Sequence, residues 1–160
     1  MRGGQPLDIN YFTIEESMKQ LDKMGSKGRE VYKSIYEWDN RPYDILWPFF
    51  LTVFLVSMIS NLYQDSIGSL FNLIPLFYLA FDYAENYFIL RLLRNYSKID
   101  IVIASLEYIL PLTKLKYYFF YASATLVIVG ILKLIISKLF KKNNNSNDKK
   151  TYKVSTKKVD

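Results

Sequence analysis

The chain has 160 residues, 51% of them hydrophobic and 17% aromatic, with no cysteine and no histidine. That composition excludes disulfides, thiol nucleophiles, imidazole general bases and metal or haem sites built on those ligands, and 14 Tyr with 11 Phe is more aromatic surface than a soluble domain of this size hides. The net charge of +6 lies wholly after Ser137, where eight lysines face Asp148 and Asp160, so the basic balance marks a tail and not a nucleic-acid-binding face.

Residues 1–44 read as a helical hairpin at a membrane surface, after a disordered stretch of eight residues that lacks the apolar core of a cleavable signal peptide. Thr13-Ile-Glu-Glu16 has the S/T-x-x-E form in which hydroxyl and carboxylate satisfy orphan helix N–H groups reciprocally. Ile14, Met18 and Leu21 follow at helical spacing, and Gly25 can close the helix in a left-handed conformation. A second helix has Val31, Ile35 and Trp38 on one stripe and ends before Asn40-Arg-Pro42. Gly25-Ser-Lys-Gly28-Arg29 lacks the spacing of a phosphate loop and follows a helix, so it predicts a helix–turn–helix connection. Arg29 and Tyr32, one turn apart, are a candidate headgroup contact. The apolar stripe is too narrow to make a core alone, so the hairpin is expected to rest on the membrane or on the spans.

Three apolar runs follow. Ile45 to Tyr63 has no charge, Phe71 to Leu93 is interrupted by Asp82, Glu85 and Arg91, and Tyr117 to Ile136 contains only Lys133. Each is long enough at about 1.5 Å per residue to cross a hydrocarbon core of roughly 30 Å, where only a helix satisfies its own backbone. The expected fold is therefore all-α and integral to a membrane, with transmembrane helices at 45–63, 71–93 and 117–137. Tyr43, Trp47, Tyr63, Tyr117, Tyr118 and Tyr121 stand at run ends, where amphipathic rings favour headgroup depth. The segment 100–116 is too short to span and too long to be added to the third run; it predicts an interfacial or re-entrant helix turned near Pro111, with a short fourth span as the alternative. Residues 138–160 form a Lys/Asn-rich tail, disordered after Lys142.

Several of these pieces together resemble a family of small polytopic membrane proteins to which no reaction is attached. The matching residues are Asp8, Tyr11-Phe-Thr13, Glu16, Leu21, Gly25-Ser-Lys-Gly28-Arg29, Tyr32, Asp44, Pro48-Phe49 and Asp82-Tyr-Ala-Glu85-Asn86. Members of that family usually carry a further span ahead of the hairpin, which implies a non-cytosolic hairpin and a cytosolic carboxyl terminus.

The distribution of charge gives two answers on orientation. The connection from Arg91 to Lys116 has five basic residues and asks for the cytosol, and so does the lysine-rich tail; with three spans both cannot have it. The tail is preferred here, because Lys157-Lys158-Val159-Asp160 has the dilysine form of an endoplasmic reticulum retrieval signal.

Asp82, Glu85 and Asn86 stand at i, i+3 and i+4, on one face with Tyr78, and Asp82 falls near the middle of its run, where an ionised carboxylate costs at least about 2.5–3.5 kcal/mol. They read either as a hydrogen-bonded lock between helices or as a proton, cation or substrate site, with Lys133 as a counter-ion or snorkelling to the interface. Lys138, Lys141 and Lys142 border the membrane and are candidate contacts to anionic headgroups. The expected partners are the bilayer, anionic lipid headgroups, and other membrane proteins or a second copy, with no nucleic acid, no cofactor and no metal. The functional expectation is a structural or assembly component, with a small carrier or lipid-handling protein as the alternative and a carboxylate-based membrane enzyme third.

Overall fold

Thr13 opens the first helix as its sequence requires: its hydroxyl accepts from the Glu16 N–H at 3.2 Å and the Glu16 carboxylate accepts from the Thr13 N–H at 2.8 Å. In the computed structural model, which describes residues 4–8, 13–38 and 42–156, with side chains as far as 140 except at 66 and 67, the chain is all-helical. The helices are α1 (Ile14–Ser34), α2 (Tyr43–Leu62), α3 (Ser66–Leu70), α4 (Leu73–Arg94) and α5 (Ile99–Thr156).

α1 is two helical pieces joined at Gly25, whose φ of 65° lies in the left-handed region that glycine enters without steric cost. The expected stripe on its second piece is corrected in part: Ile35 packs against the core, but its two companions do not. Val31 and Trp38 are exposed, whereas Tyr32 and Tyr36, together with Leu21 from the first piece, face inward. Within the stretch expected to be disordered, Leu7 is buried, and its N–H donates to the Tyr32 hydroxyl at 2.9 Å.

α4 and α5 form a long antiparallel pair. Phe88 stacks on Tyr108 at 4.7 Å, and further along Phe81 stacks on Phe119 at 5.4 Å. α2 joins one end of this pair, antiparallel to α4: Tyr83 donates to the Ile45 carbonyl at 2.8 Å, and Asn72 to Ser60 at 2.9 Å. α1 joins the other end. There Leu21 and Tyr32 pack with Ile89 and Leu92 of α4 and with Val102, Leu106 and Ile109 of α5. The molecule thus has two tiers sharing two helices. Each fully buried aliphatic side chain in the α1 tier contributes about 1.5–3 kcal/mol.

This arrangement resolves the excess length of 100–137. No turn occurs at Pro111: α5 runs through it, although the ring removes one backbone donor. The segment 100–116 is the first part of α5, continuous with the apolar run that follows it, and it lines the α1 tier. The backbone expected to be disordered from Lys142 on continues α5 to Thr156, in a stretch without proline or glycine.

Two helices, Tyr43–Leu62 and the part of α5 over Ile99–Phe140, are long and apolar enough to cross a membrane, which points to membrane association. In the α2 tier the outward side chains include Phe49, Phe50, Phe54, Leu76 and Ile128, all exposed.

Candidate functional site

Where the two tiers meet, charged side chains are buried together. Asp82 and Glu85 lie one turn apart on α4, and α5 brings Thr113 and Lys116 to face them. The Lys116 ammonium pairs with a Glu85 carboxylate oxygen and lies 3.3 Å from Asp82 Oδ1. The second Glu85 oxygen accepts from the Thr113 hydroxyl. Glu85 has no exposed surface, and Thr113, Asp82 and Lys116 are 1%, 5% and 6% exposed. Asn86 completes the α4 face, its amide donating to Asp82 Oδ2 at 3.2 Å and to the backbone carbonyl of Asp44 at 2.7 Å, which ties the cluster to the first turn of α2.

Those contacts set its depth. Asp82 stands near the middle of the apolar run 71–93, but the helix around it is level with Asp44 and Ile45, at the start of α2. The cluster therefore sits at one end of the three-helix tier. Burying the carboxylates there is compensated by an internal ammonium, a hydroxyl and an amide, as buried charge requires.

The amino-terminal segment closes the cluster from the α1 side. Tyr117, beside Lys116, donates to the Asp8 carbonyl at 3.0 Å, and Tyr32 donates to the Asp8 carboxylate at 2.9 Å. Burial pushes the Tyr32 and Tyr36 hydroxyls well above the usual tyrosine range, so both remain protonated donors. One carboxylate oxygen of Asp44 is buried without a hydrogen-bond partner among the described residues. Asp8, Asp44, Asp82 and Glu85 are four carboxyl groups at this junction, with Lys116 the ammonium among them.

The other residues singled out by sequence are distributed differently. Tyr78 is buried on the same face of α4, its ring 5.8 Å from that of Phe120. Lys133 does not reach the carboxylates; it lies at the opposite end of the α2 tier, beside Leu62 and Gly130, and Lys116 is the counter-ion instead. Arg29 turns inward, donating to the Leu21 carbonyl at 2.9 Å and lying 3.9 Å over the Tyr96 ring, whose hydroxyl in turn bonds Asp22 at 2.6 Å. Tyr32 is buried against Asp8. Lys138 is on the exposed surface of α5. The side chains of Lys141 and Lys142, and residues Lys157, Lys158, Tyr11, Phe12, Asn40 and Arg41, lie outside the described residues.

Sequence reasoning missed Lys116, Thr113, Asp44 and Tyr117 as members of the cluster. The available signal was the spacing Thr113, Lys116, Tyr117 at i, i+3 and i+4, which matches that of Asp82, Glu85 and Asn86 on the opposing helix. No protein-family model, curated protein or solved structure matches the chain.

Proposed function

We propose that this is a multi-pass membrane protein with a structural or assembly role, in which α2, α4 and the middle of α5 cross the bilayer and α1 rests on the spans at its surface. The observation that carries the reading is the pairing of Lys116 with both Asp82 and Glu85. It offsets one carboxylate charge internally, holds both carboxylates to α5, and leaves the cluster as a lock between tiers. The outward aromatic and aliphatic side chains of the α2 tier support lipid as its solvent. The test is the double variant Asp82→Asn, Glu85→Gln. The lock reading expects loss of folding and of function together; normal insertion with loss of proton- or substrate-linked transport overturns it.

One observation favours the alternative of a small carrier. One Asp44 oxygen without a hydrogen-bond partner among the described residues leaves acceptor capacity in a junction already rich in carboxyl groups. A carrier would show uptake into proteoliposomes that Asp44→Asn abolishes without changing stability.

The dilysine ending and the lysine-rich tail support an endoplasmic reticulum location with a cytosolic carboxyl terminus, which puts α1 in the lumen. Lys157→Ser with Lys158→Ser is expected to release the protein from that compartment. Unchanged distribution retires this assignment.

A further inference from the structure

At the end of the α2 tier away from the charge cluster, α2 lies against α5 in close contact. Tyr63 donates to the Leu126 carbonyl at 2.9 Å, and a Cβ at Gly130 would come within 2.9 Å of the Leu62 side chain. Glycine is needed there because the neighbouring helix occupies the space. From Gly130 the same face of α5 continues at i+3, i+4, i+7 and i+8 as Lys133, Leu134, Ser137 and Lys138, but α2 has ended at Leu62. The face that held a helix is left without one, and its chemistry changes at that point from small and apolar to cationic. The result is a cleft of about 390 Å³ lined by these four residues with Leu62 and Gly130. No ion pair found among the described residues uses either lysine.

We infer that this cleft is a binding site for an anionic phospholipid, its phosphate held between Lys133 and Lys138 and an acyl chain lying on Leu62 and Leu134. Two ammonium groups with no acid in the lining select an anion, and Ser137 adds a hydroxyl donor. The apolar half of the wall selects a lipid over a free phosphate. The depth agrees, since the cleft opens where α2 leaves the bilayer and headgroups begin. The inference rests on the spanning arrangement proposed above.

The experiment uses the full chain in detergent, with retention of phosphatidylglycerol against phosphatidylcholine read by native mass spectrometry. The wild-type chain prefers phosphatidylglycerol. Lys133→Gln and Lys138→Gln each reduce that preference about five-fold, and together about thirty-fold. Lys133→Arg with Lys138→Arg keeps the charge and keeps the preference, which preserves a test should the glutamine pair fail to fold. An unchanged preference in the glutamine variants, a loss in the arginine pair, or equal displacement of the lipid by inorganic phosphate overturns the site. A chain that resists carbonate extraction but shows no anionic preference refutes the cleft alone. A chain washed off vesicles by carbonate refutes the spanning arrangement itself.

Discussion

Tyr117 donates its hydroxyl proton to the backbone carbonyl of Asp8 at 3.0 Å, so the residue that follows the buried ammonium also fastens the amino-terminal segment. The charge cluster and the α1 tier are consequently joined at one place, and perturbing either is expected to register in the other.

Lys116→Met removes the ammonium and leaves Glu85 and Asp82 buried without compensation. The expected loss is about 3–5 kcal/mol. The triple variant Asp82→Asn, Glu85→Gln, Lys116→Met removes the charges together and is expected to recover most of that loss. Unfolding of each protein in detergent, followed by circular dichroism, checks both; a triple variant no more stable than Lys116→Met contradicts the pairing as the source of the effect.

Tyr32→Phe deletes three bonds at once, those accepted from the Leu7 N–H and the Tyr36 hydroxyl and the one donated to Asp8. Tyr117→Phe deletes the bond to the Asp8 carbonyl. Each bond contributes about 0.5–1.5 kcal/mol, so Tyr32→Phe is expected to cost more. Hydrogen exchange at residues 4–8 should rise in both variants while that of α2 stays near wild type.

Gly25→Ala tests the break in α1. An added Cβ at Gly25 meets nothing within 4 Å, so its cost is confined to the backbone, at about 1–3 kcal/mol for a φ of 65° with a ψ of -179°, a conformation essentially restricted to glycine. A stability equal to wild type in thermal unfolding would show that α1 can adopt another geometry at that position.

The capping carboxylate gives a pH signature. Bonds from Thr13 hold the Glu16 carboxyl below the usual glutamate range. A group whose folded value is depressed stabilises the fold above its unfolded value and loses that contribution as the pH falls through the folded one. Glu16→Gln is therefore expected to be less stable than wild type at neutral pH, and the two melting curves should converge under acid conditions below the ordinary glutamate range.

Hydropathy located the helices but not their surroundings. Ile89, Leu92, Val102 and Leu106 are as apolar as the lipid-facing candidates, yet they are 0% exposed because α1 covers them. One apolar run over 71–93 therefore combines a part that meets the outside of the α2 tier with a part buried in protein, and counting from its ends put Asp82 too deep. Asp82, Glu85 and Asn86 were legible as one face, since a helix fixes that spacing. Their partner was not, because the sequence reading set Lys116 apart from the spans in the segment 100–116, and pairing across helices is a tertiary fact. The tyrosines at the run ends were read as anchors by position, whereas Tyr63 and Tyr117 use their hydroxyls on backbone carbonyls of other segments.

The uninterrupted course of α5 has a mechanical consequence. From Ile99 to Thr156 it is a rod of about 86 Å that passes through both tiers. In the proposed arrangement a thinner bilayer cannot be met by bending one tier away from the other. It must tilt the whole rod, and that tilt would carry the amino-terminal tier with it, turning membrane thickness into an angle at the surface.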